Sequence, residues 1–528
     1  MSHKFLRVLV LFIFLAAVPF LHCDQKILTI LHTNDTHSNL FPLGPNDSLG
    51  GIARMSTLIK ELKAKDRNVL TLNAGDVFVG TFEFNKYLGY PELKIMQGLY
   101  DAMELGNHEF DLGTDVLIGV LSGVMPNKPA ITMPVICANI DRTSIKKAPD
   151  ALLALVQPSI IKEIGGLKVG ITGVVNTEAQ NYSSDVFNFL TDPFVAAGTQ
   201  AGLLKAAGCD VVICVSHLGL MTDEMGLSTV PNIDIIISGH SHDALISPVL
   251  AGGKIIVQAG EFGKFLGELK VKIDTGGVSV ADYKLHKVDW RTRKDPHLLL
   301  PLAALRVGLV QDPRFGPVLG KFVAQARLDM EKSWPDGSAF RDTAVGDLVA
   351  DALRWGVEKA GHPVDIALEA LGYVGSKIYK GKVVGEDVMR VVPYGYDATS
   401  GLGFKIVIVP LTGMQILQGL EFSVFYIPLT YDMSMQPSGL TFNYDSLKPA
   451  GARVDYTSVK VNGSPINPLA PYNVAMNEQV YRVLKSLDAT VPDPVSTGLF
   501  EYRLVRDYMK KLIHVGYISE GRVIDQTF

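Results

Sequence analysis

The sequence predicts a layered α/β domain followed by a second α+β domain. Three observations carry that expectation. The length, 528 residues, exceeds what one hydrophobic core usually serves. From Lys26 to about Leu285, short Val- and Ile-rich runs alternate with segments bearing apolar residues at helical spacing. Beyond that point come one strongly helical segment and several β-like runs divided by Pro and Gly turns.

The runs of the first half are Ile27–Leu31, Val69–Leu72, Ala102–Leu105, Val135–Ala138, Val169–Thr172, Val211–Val215, Ile233–Ile237 and Ile255–Val257. Near-continuous apolar strands belong to sheets buried on both faces, and ligands gather beyond their carboxyl ends. Helices are expected over Ile52–Lys65 and Phe194–Ala207. Asp289–Pro317, mixed in charge and rich in proline, reads as a linker with a helix through Leu298–Leu309. In the second domain, Thr343–Ala360 is expected to be helical, and Lys405–Val409, Val459–Val461 and Tyr472–Met476 to be strands.

Composition narrows the function classes. With 47% hydrophobic and 20% charged residues the chain is globular and not disordered. A net charge of −5 and the lack of any Lys/Arg run argue against a nucleic-acid polymer as partner. His3, Lys4 and Arg7 precede the apolar stretch Val8–Leu21, short for a membrane span, and this reads as a secretory signal cut near Cys23. It would send the chain across the inner membrane, to the periplasm or the cell surface. An N-terminal anchor helix and lipidation at Cys23 are the alternatives, the second opposed by His22 where a small residue is wanted. Cys209 and Cys214 share one extended segment and are too far apart to bridge, and Cys137 reads as a small buried hydrophobe. Disulfide scaffolding and redox chemistry are not expected.

Five islands carry the chemistry, each following an apolar run. Asp35 and His37 lie two apart, so in an extended loop both side chains face one way. Gly75 lets the chain turn and leaves the Asp76 carboxylate at a strand lip, placed to bridge two cations. Asn107 offers an amide oxygen, while His108 and Asp111 are three apart, a reachable pair in a helical turn. His217 follows a buried strand, and His240 and His242 share a loop opened by Gly239. Singly, these residues have plain readings: a turn Asp, a capping Asn, a polar strand end. Together at successive strand ends they fit two divalent cations, held roughly 3.5–4 Å apart in phosphoesterase-type sites. The donor mixture suits Zn, Mn, Co or Fe.

With these motifs the sequence resembles the calcineurin-like metallophosphoesterases. Within them it is similar to the secreted 5′-nucleotidase family, which includes UDP-sugar hydrolases and 2′,3′-cyclic-nucleotide phosphodiesterases. The resemblance rests on Asn34-Asp35-Thr36-His37, Gly50–Arg54, Leu72–Asp76, Gly106–Asp111, Ser216–Gly219 and Gly239–His242, and continues through Arg341–Thr343 and Leu348–Ala352. It implies a four-layer αββα catalytic domain over residues 24–288 after a signal peptide at 1–23. It also implies a linker at 289–317 and a nucleotidase-like substrate-binding domain at 318–528. By the same resemblance Asp35, His37 and His242 bind one metal, Asn107, His217 and His240 bind the other, and Asp76 bridges them. His108 and Asp111 form the catalytic dyad, and the reaction is in-line attack of metal-bound hydroxide on a nucleotide-like phosphate ester.

The C-terminal motifs depart from the family. Its Gly-Gly-Ile-Arg stretch is here Gly372-Tyr373-Val374-Gly375, so Gly375 aligns with the Arg, and its Pro-Phe-x-Asn is Pro393-Tyr394-Gly395-Tyr396. Tyr394, Tyr396, Phe442 and Tyr444 remain as candidates to stack a base, with packing in the core as the other reading. Two further functions stay open: hydrolysis of a non-nucleotide ester, and nucleotide binding outside the cytoplasm without turnover. No stable protein partner is expected.

Overall fold

The computed structural model describes residues 26–123, 128–182, 187–334, 341–427 and 431–527. The expected signal peptide and Cys23 lie outside these. The first domain contains thirteen strands among the described residues: β1 (Lys26–Thr33), β2 (Val69–Asn73), β3 (Ala102–Glu104), β4 (Val135–Ile136), β5 (Val156–Gln157), β6 (Ser159–Ile164), β7 (Leu167–Val175), β8 (Val211–His217), β9 (Ile235–Ser238), β10 (Val249–Ala251), β11 (Lys254–Val257), β12 (Phe265–Asp274) and β13 (Gly277–Lys287). They form two sheets, ordered β13-β12-β1-β2-β3-β4-β5 and β10-β11-β9-β8-β7-β6.

The pleat explains why the strands are apolar throughout. Leu28 and Ile30 of β1, with Val211, Ile213 and Val215 of β8, point into one core between the sheets. Their neighbours point the other way, Leu31 toward Met55, Ile59 and Leu62 of the helix Ile52–Lys65, and Val212 and Cys214 toward Ala197, Ala201 and Leu204 of the helix Pro193–Ala206. The result is the expected four layers, helix, sheet, sheet, helix. The hairpin β12–β13, whose first strand pairs antiparallel with β1, lies beyond the runs singled out in the sequence. Val135–Ala138 shortens to the two-residue strand β4. Cys137, Cys209 and Cys214 are buried free thiols.

The helix expected in the linker spans Pro296–Gln311 and is wedged between the halves. Leu302 packs with Leu40 and Ala53, whereas Leu309 joins Phe82 and Phe315 in the second core. The second domain is built on a five-stranded sheet made of 435–438, 366–370, 471–477, 405–412 and 495–500, in that order. The helix Ala344–Lys359 covers it, capped by Thr343, whose hydroxyl accepts from Gly346 N at 3.0 Å. No helix of the described residues is long and apolar enough to cross a membrane.

Candidate dinuclear metal centre

The loops beyond β1, β2 and β3 meet the end of β8 and the loop beyond β9, so both sheets deliver side chains to one point. Backbone hydrogen bonds stitch the loops together: Asp35 N to Gly75 O at 3.0 Å, His37 N to Asp76 O at 3.0 Å, and Phe262 N to Asp35 O at 2.7 Å. The turns are tight. Asp35, His37, Asp76, His240 and His242 all have φ between 45° and 76°, a region that residues with a Cβ avoid unless the surroundings fix them there. Gly75 (φ 83°) has no room for a side chain, since a Cβ would lie 2.6 Å from Gly106 N and 2.9 Å from His217 Nδ1.

Two donor triads result, Asp35–His37–His242 and Asp76–His217–His240, with the ligand atoms of each within 4.8 Å of one another. Asp76 Oδ2 lies between them, 3.1 Å from His217 Nε2 and 3.9 Å from His37 Nε2. That is the position a bridging carboxylate needs. Asn107 is buried close by, its Oδ1 accepting from Asn176 Nδ2 at 3.2 Å, and Asn176 Nδ2 also reaches His217 O at 3.3 Å.

The ring nitrogens fit cations. Nδ1 of His217 lies 2.6 Å from Ala74 O, Nδ1 of His242 lies 2.8 Å from a Glu261 carboxylate oxygen, and Nδ1 of His37 lies 3.3 Å from Phe78 O. With each Nδ1–H donated outward, the Nε2 lone pairs face inward. Nε2 of His37 and His242 are then acceptors 3.2 Å apart beside Asp35, and buried Nε2 of His217 has no hydrogen-bond partner. Like lone pairs converging on carboxylates suit a divalent cation at each triad.

His108 and Asp111 stand at the rim. The short 3-10 turn His108–Phe110 brings His108 Nδ1 to 2.8 Å from Asp111 Oδ2, and His108 N donates to Asp76 Oδ1 at 2.9 Å. Burial works against a charged His108, but the Asp111 and Asp76 carboxylates outweigh it and raise the imidazole to about 9. Burial also pushes the Asp76 carboxyl up, while the surrounding imidazoles, in their charged forms and with no cation bound, hold it well below the usual range.

Several positioning residues are not among the candidates read from sequence. Glu109 accepts from the backbone N–H groups of Gly106, Asp76, Val77 and Phe78 at 2.6–3.1 Å, tying the β2 and β3 loops together. Asn34 Nδ2 donates to Asp35 Oδ2 at 2.6 Å. Glu261 backs His242. It follows β11 just as the islands follow their strands, so the strand-end rule extended by one strand points to it.

The substrate candidates divide. Tyr394, from the second domain, stacks on His108 with ring centroids 5.0 Å apart, and Tyr373 packs edge-on against it at 6.1 Å. Tyr396 pairs with Arg314. Phe442 and Tyr444 are corrected: 1% and 0% exposed, they point with Leu440 into the C-terminal core and present no ring to a ligand. Gly375 cannot carry a cation in this fold, because a Cβ would lie 2.6 Å from Pro393 Cγ and 2.7 Å from Arg390 O.

Comparison with known proteins agrees with this geometry. Residues 28–244 match the calcineurin-like phosphoesterase model, and residues 324–482 match the 5′-nucleotidase C-terminal domain. The fold and site thus define a metal-dependent hydrolase of phosphoric esters. The chain belongs to the calcineurin-like phosphoesterases of 5′-nucleotidase type. It is 29% identical to the 5′-nucleotidase of Diplobatis ommata over 403 residues, 70% of this chain and 67% of that one. It is 28% identical to the snake venom 5′-nucleotidase of Naja atra, across 94% of this chain and 98% of that one. The crystal structure of the 5′-nucleotidase precursor from Thermus thermophilus superposes with a TM-score of 0.81 at 29% identity, covering 95% of this chain and all of that one.

Proposed function

We propose that the chain is an exported nucleotidase that hydrolyses nucleotide phosphate esters with two divalent cations. The observation that carries the reading is the pair of donor triads on either side of one Asp76 oxygen. Asp35, His37 and His242 would hold one cation, Asn107, His217 and His240 the other, and Asp76 both. Bound there, the cations supply an activated water and neutralise charge developing on phosphorus. His108, with Nδ1–H committed to Asp111, presents Nε2 to the leaving oxygen and gives it a proton. Asp111 fixes that tautomer and favours the charged ring. Export is supported by the apolar run Val8–Leu21, and the division into 24–288 and 318–528 joined by 289–317 by the change of pattern along the chain.

A second reading, a non-nucleotide ester as substrate, is favoured by the cramped backbone at Gly375 and by Tyr394 lying on His108. Phosphate release from nucleoside monophosphates, UDP-glucose and aryl phosphates, with Mn²⁺ and with chelator, separates the two. Chelator-sensitive preference for nucleotides is expected. Equal kcat/KM on simple aryl phosphates would sink the nucleotide assignment.

A further inference from the structure

His240 and His242 belong to different donor triads but share one loop. Both hold positive φ, 76° and 62°, a conformation that lasts only where the surroundings fix it. Backbone bonds do part of this: Gly260 N donates to Asp243 O at 2.9 Å, Leu245 N to Gln258 O at 3.2 Å, and His240 N to Asp35 Oδ2 at 2.9 Å. The side chain of Gln258 spans the stretch from Ser238 to Asp243.

Gln258 follows β11 directly and is wholly buried. Its Oε1 accepts from Asp243 N, and its Nε2 lies 2.9 Å from Ser238 Oγ, 3.1 Å from Ser241 Oγ and 3.3 Å from Gly239 O. The amide can sit only one way round. A backbone N–H only donates, so the oxygen must face Asp243, which turns the NH2 toward the two hydroxyls and the Gly239 carbonyl. One side chain thus holds the loop before His240, between the two imidazoles and after His242. Releasing any of these contacts would leave a buried polar group without a partner, so the hold is firm. The partners are the backbone and serines of the loop, so Gln258 acts through the ligands rather than as one.

We propose that Gln258 is a positioning residue that sets both cation sites at once, by fixing the loop that gives one imidazole to each triad. The assignment rests on the dinuclear reading above. With the loop fixed beforehand, each cation meets its imidazole in place, and neither has to order the loop for the other. With the loop loosened, the first cation must order it and the second finds it already set. Loss of Gln258 therefore weakens the first binding step most and draws the two steps together.

The test is calorimetric titration of Mn²⁺ into the chelator-stripped full-length protein, beside Gln258→Met and Gln258→Glu, each first checked for a native circular dichroism spectrum. Met matches Gln in size and removes its hydrogen bonds. Glu keeps an oxygen opposite Asp243 N and loses the NH2 donors, so it decides the matter where the Met variant does not fold. Wild type should bind two cations per chain. In the variants the first Kd should rise about 10–100-fold, as for other groups that stand behind metal ligands, and the second should rise less. Unchanged steps in the variants would overturn the assignment. So would an equal rise in both steps, or one site lost with the other intact, since neither pattern runs through a shared loop. Wild type that binds fewer than two cations would defeat the dinuclear reading itself and the assignment with it.

Discussion

At the scale of single residues, function turns on which nitrogen holds a proton. Burial opposes charge on His108, but the Asp111 and Asp76 carboxylates outweigh it and raise it to about 9, the state the proposed proton donor needs at neutral pH. A group that works protonated keeps activity below its pKa and loses it above. Asp111→Asn removes the charge that sustains the proton, so the alkaline limb of kcat/KM should move to lower pH. His108→Ala should lower kcat by about 10²–10⁴-fold without changing the metal per chain. An alkaline limb that stays in place in Asp111→Asn would remove Asp111 from the dyad. These residues were legible in the sequence because each follows an apolar run that reads as a strand. Phe442 and Tyr444 were misleading for a related reason: with Leu440 they alternate along one strand, and the alternation marks the core side as readily as a ligand face.

At the scale of elements, the loops are set by contacts that no local pattern announces. Glu109 belongs to a readable motif, but its task depends on four backbone N–H groups brought from two loops. Glu109→Gln would turn a donor toward those donors, loosening Asp76 and Asn107 together. Metal affinity, read by competition with a chelator, should fall about 10–100-fold, the usual cost of losing a partner behind the ligands. An unaltered competition curve would mean that the loops hold without it. The sheet beneath contains a second such contact. His32 of β1 is wholly buried against Tyr283, with neither ring nitrogen hydrogen-bonded, and burial lowers it to about 3. The unfolded chain takes up a proton near the ordinary 6.5 while the folded one does not, so stability contributed here falls as pH drops from about 6.5 toward 3. His32→Leu should therefore lose less stability than wild type between pH 7 and pH 5, compared by urea midpoints. Parallel losses would show that His32 does not contribute to the acid sensitivity.

At the scale of the whole molecule, the halves meet through side chains far apart in sequence, which is why the sequence revealed each domain but not their seam. Asn85 donates to Gly401 O at 2.8 Å, Phe82 packs between Phe315 and Tyr502, and Arg390 reaches the loop of His37 through Asn39. The centre itself joins both sheets of the first domain, since its donors lie at the end of β8 and just beyond β1, β2, β3 and β9. Cations bound there favour the assembled fold over the unfolded chain, where these loops are not brought together, and stabilise it by mass action, about 2.7 kcal/mol at a metal concentration a hundredfold above Kd. A chain of two domains need not unfold in one step, so the effect should be read transition by transition. In scanning calorimetry, chelator should lower the Tm of the transition belonging to the metal-bearing domain, and Mn²⁺ should restore it. His217→Ala, which removes one ligand from a triad fed by both sheets, should shrink that shift. Scans indifferent to chelator and to added metal would mean that the strand-end loops are held by their own backbone bonds, and that the strained turns at Asp35, His37, Asp76, His240 and His242 are stable without the cations they are shaped to hold.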